Sequence, residues 1–493
     1  MLLRNARLVP IGSPAPPEPV QLRIVGDRVT AVSGELQPEE GEEVVEADGR
    51  WLMPGLWDAH VHLGQWARRR TRLDLAGTTA VSDVLARVSA ALARRSGTDV
   101  LVGTGYRPAL WDEQPSVTAL DRVTGELPTV LISGDAHAGW LNSAALARWG
   151  LAWRDHPVVE AEWFAALPAI LAGEDAQVGA SAFAAALSDA ASRGVVGVVD
   201  YEFEPGFEAW PARAATVGVP LRVRTSVYPA DLDRAIAAGV RTGDILADAD
   251  GPQVEMGSLK IIADGSLNTR TAFCVDPYEG GGHGVLSVGP DTLVELLSAA
   301  HAHGITVALH AIGDAAADVA LDAFARTGAT GTIEHAQLLS AGAARRMAEL
   351  GLVASVQPAH LLDDRDVAEA VWGAERAARS YALRELAENG VALAFGSDAP
   401  IAPLDPWLAI AAAVSRTEPG RASWHPEQTV SIPQALAAST GGAATVGVGH
   451  LADLALLDAD PLAANNVDDG AGALREMAVA ATWVAGRRVH GGR

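Results

Sequence analysis

Short apolar runs, several ending in a histidine, lysine or aspartate, alternate with alanine-rich stretches of helical character through the middle of this 493-residue chain. Eight strand candidates can be placed, at 52–57, 195–199, 221–227, 259–262, 305–309, 331–333, 352–356 and 391–395. Helical candidates at 183–193, 292–303, 315–326 and 380–389 lie between several of them. Strand and helix in alternation predict a parallel sheet with crossover helices. Metal-binding residue types at the carboxyl ends of successive strands describe the mouth of a barrel, where residues far apart in sequence meet around one rim.

The two ends of the chain read differently. Residues 1–50 offer short strands at 6–10, 20–25, 28–32 and 43–45, separated by Gly, Pro and Glu turns, and 441–493 offers strands at 451–457 and 477–489, the second turning at Gly486. Neither end could cover its own sheet edges alone, so they are expected to pack together as one discontinuous domain beside a barrel spanning 51–440. A helix is expected near 431–439. The interval 84–180 is too long for one crossover and carries its own strand candidates at 100–103 and 129–132. It reads as an elaboration beside the barrel mouth, with Trp111, Trp140, Trp149, Trp153 and Trp163 as packing or pocket residues.

Charge narrows the partners. A formal charge of -24 disfavours a polyanion, because phosphate contacts need concentrated Lys and Arg, so nucleic acid is not expected. The start of the chain lacks a signal peptide's apolar core, and no stretch approaches a membrane span. The single cysteine, Cys274, can form no internal disulfide and suggests no thiolate cluster. These features predict a soluble, cytoplasmic protein that acts on a small molecule without a membrane partner.

The chemistry is carried by a handful of positions. His60 and His62 follow the first barrel strand candidate, and alternate residues of an extended segment point the same way, so both imidazoles can face one ion. His310 and His335 end the strand candidates at 305–309 and 331–333. Asp398 follows the last, where a carboxylate can bind metal and take a proton from water. Lys260 closes a shorter apolar approach. Its ammonium would repel a metal, but a buried amine that combines with carbon dioxide becomes a carbamate able to bridge two ions; the alternative is a buried salt bridge to Asp264 or another carboxylate. Glu334, Asp200 and Asp314 read as supporting or structural acceptors. His301 and His303 sit at a helix end and read as structural or solvent-facing.

These segments resemble the amidohydrolase superfamily, in particular its amidohydrolase-3 branch of YtcJ-like and N-substituted formamide deformylase-like proteins. The likeness runs over nearly the whole chain. It includes Met53-Pro54-Gly55-Leu56-Trp57-Asp58-Ala59-His60-Val61-His62, Lys260-Ile261-Ile262-Ala263-Asp264-Gly265-Ser266-Leu267, His310-Ala311-Ile312-Gly313-Asp314, Ile333-Glu334-His335 and Gly396-Ser397-Asp398. The resemblance implies an α/β fold, a metal-dependent (β/α)8 TIM barrel with a composite β-sandwich formed by the chain ends. It also implies metal-ligand roles for His60, His62, Lys260, His310, His335 and Asp398. By the same resemblance His60, His62 and Asp398 hold the more buried of two divalent ions, expected to be zinc. His310 and His335 hold the more exposed one, and carboxylated Lys260 bridges them. A hydroxide between the metals attacks a carbonyl, and Asp398 passes the proton to the leaving nitrogen. A homodimer is the assembly implied.

The family often continues Asp-Gly-Ser-Leu with Gly-Ser-Arg-Thr-Ala, where this chain has Asn268-Thr269-Arg270-Thr271-Ala272. Arg270 is therefore expected to serve in the pocket or to position the loop. His137, in His137-Ala138-Gly139-Trp140-Leu141-Asn142-Ser143, is a candidate substrate contact. The expected reaction is hydrolysis of the C–N bond of a small N-acyl or N-formyl amide. Ester or lactone hydrolysis, cyclic-amide opening, nucleobase deamination, a non-hydrolytic isomerisation and a noncatalytic interaction protein are the competing readings.

Overall fold

A computed structural model of the protein describes residues 1–69, 72–94, 100–175, 180–248, 253–463 and 467–492. Its centre is a barrel of eight parallel strands: β1 (Leu56–Val61), β2 (Val195–Asp200), β3 (Arg222–Val227), β4 (Gln253–Ile262), β5 (Val307–Ala311), β6 (Gly331–His335), β7 (Val353–Val356) and β8 (Ala392–Phe395). The sheet closes just past β8, where Asp398 N donates to His60 O at 2.6 Å and His62 N donates to Ala399 O at 2.8 Å. All eight expected strands are present, with the helices Ala180–Ser192, Pro290–Ala302, Asp314–Thr327 and Leu383–Glu388 among those between them.

Alternation along the strands sorts the side chains. Leu259 and Ile261 of β4, and Val307, Leu309 and Ala311 of β5, are buried outward against the helices in the largest core cluster. Full burial of each larger aliphatic side chain contributes about 1.5–3 kcal/mol. The residues between them, Lys260 and His310, therefore face the barrel interior. Periodicity thus places these two groups inside before any chemistry is considered.

The first strand corrects the sequence reading. The expected 52–57 run is two strands: Trp51–Pro54 pairs with Arg7–Leu8 and Leu454–Leu457 in the terminal sheet, and only β1 belongs to the barrel. The chain passes between the two sheets at Gly55, whose N–H donates to Asp453 O at 2.9 Å. A Cβ at Gly55 would lie 2.0 Å from Val196 Cγ1, so a side chain would block the step. The apolar pattern runs through the junction without a break because both strands are buried.

The two chain ends form one eight-stranded sheet system. Leu2–Leu8 bends at Asn5, which has φ 55°, and changes partner there, from Val44–Glu46 to Trp51–Leu52. A bulge with a left-handed Asn is a common way to turn a strand. Val479–Val484 and Arg487–His490 form the expected hairpin at Gly486. One core joins Leu3, Leu22 and Leu52 to Leu454, Leu456 and Trp483, so each end covers the other.

Between β1 and β2 stands a five-stranded sheet, ordered Val158–Val159, Ala138–Leu141, Thr129–Ser133, Leu101–Tyr106 and Leu73–Asp74. Trp140 and Trp163 are fully buried here, with Nε1 donating to Ser116 O and Ala136 O, each at 2.8 Å. Trp163 lies across Gly139, where a Cβ would stand 2.2 Å from the ring. Gly139→Ala must displace that ring, and overpacking of this kind costs about 1–3 kcal/mol. A lowered urea-unfolding midpoint, followed by intrinsic tryptophan fluorescence, is the expected result.

Candidate metal centre

The barrel mouth gathers His60, His62, Lys260, His310, His335 and Asp398 around one cavity of about 90 Å³. His60 Nε2 and His62 Nε2 lie 3.5 and 3.4 Å from Asp398 Oδ1. Two sets of donor atoms are close enough to hold a metal ion: His60, His62 and Asp398, and His335, His360 and Asp398. The two sets share Asp398.

Glu334 fixes the first imidazole. It is fully buried at the end of β6, and its Oε2 accepts from His60 Nδ1 at 2.6 Å. Tyr201 OH donates to Glu334 Oε1 at 3.2 Å, and Thr332 Oγ1 donates to the same atom. With the ring proton on Nδ1, the His60 Nε2 lone pair faces Asp398 Oδ1. Two acceptors in that arrangement call for a cation between them, and a histidine ligand oriented by a carboxylate is the usual way to meet it. The donor set therefore fits a metal. Burial, with the Lys260 charge next in weight, pushes His60 below its ordinary pKa and keeps it neutral. Burial and then the His310 charge do the same to His335. For Asp398 burial opposes ionisation, but the field of His60 and the His62 hydrogen bond outweigh it and hold the carboxyl well below its usual range. Removing the support is expected to show: Glu334→Gln should weaken metal affinity about 10–100-fold, read by competition with a chromophoric chelator.

Adjacent strand residues normally face opposite sides of a sheet, yet Glu334 and His335 both reach the interior. His335 has φ 70° and Ala336 φ 42°, so the backbone leaves the strand conformation there and returns the imidazole to the barrel axis. Asp398 has φ 54° in the same kind of position after β8. Strained backbone of this sort persists where surrounding packing enforces it and clusters at functional sites.

Lys260 is 2% exposed, its Nζ 3.3 Å from His60 Nε2 and 4.4 Å above the Tyr201 ring. Burial lowers its pKa to about 8. The alternative of a Lys260–Asp264 salt bridge is not what forms. Asp264 instead accepts from the backbone N–H groups of Ile312, Gly313 and Phe273 at 2.8–3.0 Å, with His310 Nε2 at 3.3 Å. His310 lies beside His335, ring centroids 4.5 Å apart, but belongs to neither donor set.

The other expectations divide. Asp200 accepts from Leu63 N at 3.0 Å and Trp210 Nε1 at 2.8 Å, holding the turn after His62, while Asp314 accepts from Val275 N and Ala315 N away from the donors. His301 and His303 are exposed at a helix end. His137 lines the cavity, with Nδ1 3.1 Å from Glu160 Oε2. Arg270 is exposed and is not among the residues described as lining the cavity, although its φ of 56° marks a tight loop. The described lining holds no tryptophan; its apolar part includes Phe164 and Phe203. His360 was not anticipated. It opens the helix His360–Trp372, beyond the end of β7 at Val356, where a search of strand ends does not reach.

Comparison with known proteins agrees with this geometry. The model of the amidohydrolase family matches residues 43–490, and the chain belongs to that family. It is 28% identical to the protein LONG AFTER FAR-RED 3 of Arabidopsis thaliana, over 99% of this chain and 88% of that protein. It is 28% identical to the putative amidohydrolase YtcJ of Bacillus subtilis, over 85% and 86%. It is 25% identical to an N-substituted formamide deformylase of Arthrobacter pascens, over 94% and 92%. A crystal structure of an uncharacterized metal-dependent hydrolase from Pyrococcus horikoshii superposes with a TM-score of 0.77 at 26% identity, covering 94% of this chain and 98% of that one. Fold, donor sets and family together define a metal-dependent hydrolase of carbon–nitrogen bonds. Among the described residues no helix is long and apolar enough to cross a membrane.

Proposed function

We propose that the protein hydrolyses a small N-acyl or N-formyl amide at a centre of two divalent ions. The observation that carries this reading is the pair of donor sets sharing Asp398 beneath a small cavity. In it, His60, His62 and Asp398 would hold one ion. His335 holds the second, flanked by His310 and His360. Imidazole and carboxylate donors without a thiolate fit zinc. Lys260 is buried, close to His60 and lowered to about 8, so more of it is free amine near neutral pH than for an exposed lysine, and a bridging carbamate forms from that amine.

When bound, such ions supply an activated water and a Lewis acid for the carbonyl. The rest falls to the side chains. Asp398, kept ionised, takes the water proton on a carboxylate oxygen and returns it to the leaving nitrogen, which cannot depart as an anion. Glu334 holds His60 in one tautomer throughout. No serine or cysteine nucleophile is needed, and Cys274 is buried with its thiol pushed up to about 11. The deformylase relative supports the N-formyl assignment.

A panel of N-formyl and N-acetyl amines with matched esters, offered to zinc-loaded protein, tests this reading. Amide turnover that disappears on chelation and returns with zinc is expected. Ester hydrolysis without amide hydrolysis would move the assignment to an esterase on the same centre.

A further inference from the structure

The part of the cavity wall supplied by the inserted sheet has unspent hydrogen-bond donors and no unspent carboxylate. Arg107 follows the strand Leu101–Tyr106 and lines the cavity with its side chain 27% exposed. Its shaft lies in a berth over Gly134, where a Cβ would come within 2.8 Å of Cγ and Nε. One guanidinium nitrogen, Nη2, meets Asp363 Oδ2 at 3.0 Å; Nε and Nη1 have no partner among the described residues. On the same 134–137 loop, His137 spends Nδ1 on Glu160 and keeps Nε2. Burial opposes protonation of His137, but the Glu160 hydrogen bond and the Asp135 field raise its pKa overall.

The carboxylates that line the cavity here, Asp135 of this wall and Asp364 of the helix His360–Trp372, are committed. Asp135 accepts from Ser133 Oγ at 2.6 Å, His137 N at 3.2 Å and Ser266 Oγ at 3.2 Å. Asp364 accepts from Tyr381 OH at 2.6 Å and Gln337 Nε2 at 3.0 Å. What remains for a ligand is the Nε–H and Nη1–H groups of the Arg107 guanidinium and an imidazole, beside apolar Phe164, Leu167 and Ile401. A charged N–H donor matches a carboxylate oxygen.

We propose that the amide substrate carries a carboxylate away from its scissile bond, as an N-acyl amino acid does, and that Arg107 with His137 receives it. The inference rests on the amide-hydrolase reading for its substrate class. The apolar residues take the amino-acid side chain, and the small cavity below them takes the acyl group. Arg107 then determines specificity without touching the reacting atoms.

The test is calorimetric binding of N-formyl-leucine and N-formyl-leucinamide to metal-loaded protein made inactive by Asp398→Asn, alongside turnover of both by the wild type. The acid should bind at least about 10-fold more tightly than the amide, as a charge-assisted contact implies. Arg107→Met should erase that preference while the amide binds unchanged, which also shows that the variant is folded; Arg107→Lys should keep part of it. Equal affinities, binding of neither ligand, or a preference that survives Arg107→Met would overturn the proposal. Preference in binding without turnover of either compound would instead retire the amide-hydrolase reading and leave the carboxylate site standing.

Discussion

Asp398→Asn is expected to lower kcat by about 10²–10⁴-fold, the range lost when a positioned acid–base group is removed, while the protein keeps most of its metal. The asparagine keeps an oxygen at the point where the donor sets meet, 3.4–3.5 Å from the His60 and His62 nitrogens. It cannot take a proton from water at neutral pH. The native carboxyl is held well below the usual range by the imidazoles around it, so the wild-type base stays ionised far into acid and the variant has nothing to replace it. Steady-state kinetics paired with metal analysis by mass spectrometry separates the two roles. Full turnover in the variant would remove Asp398 from the chemistry; loss of metal in proportion to activity would make it a ligand alone.

His335→Ala should abolish measurable amide hydrolysis and leave the protein short of metal. Loss of a supporting partner costs about 10–100-fold in affinity, and loss of a donor costs more. His335 suits this experiment better than His60. Truncating His60 would strip Glu334 and Lys260 of their shared neighbour and leave buried charges without compensation, a penalty of about 3–5 kcal/mol that would be read as instability. His335 is neutral in its buried setting, its ring neighbours are other imidazoles, and Asp398 keeps His60 and His62 beside it, so the alanine variant should unfold near the wild-type temperature when both are stripped of metal. Metal content equal to wild type with undiminished activity would refute its assignment.

Much of this centre was legible in the sequence because strand ends announce themselves. An apolar run stops where the chain leaves the barrel wall, and His60, His310, His335 and Asp398 sit at or just beyond such a stop, while Lys260 interrupts the apolar run of β4 two residues before its end. What stayed hidden followed from backbone geometry and packing. The positive φ at His335 brings Glu334 and His335 to the same side, which no period-two pattern can predict. The partition at Gly55 was invisible because strands on both sides of it are apolar. His360 lies past the strand end, within a helix, where its residue type alone does not distinguish it from a surface histidine. The tryptophans of the insertion read as packing or pocket residues, and packing is the role Trp140 and Trp163 take, while Trp153 is exposed and phenylalanines on neighbouring segments face the cavity.

The central claim is that two metal ions share Asp398, and anomalous scattering from zinc-loaded crystals, recorded on both sides of the zinc edge, addresses it directly. The account predicts two peaks, one among His60, His62 and Asp398, the other beside His335 with Asp398 between them, and density extending from Lys260 Nζ toward both. A single peak that leaves His335 without a metal neighbour, beside an unmodified lysine, would contradict it.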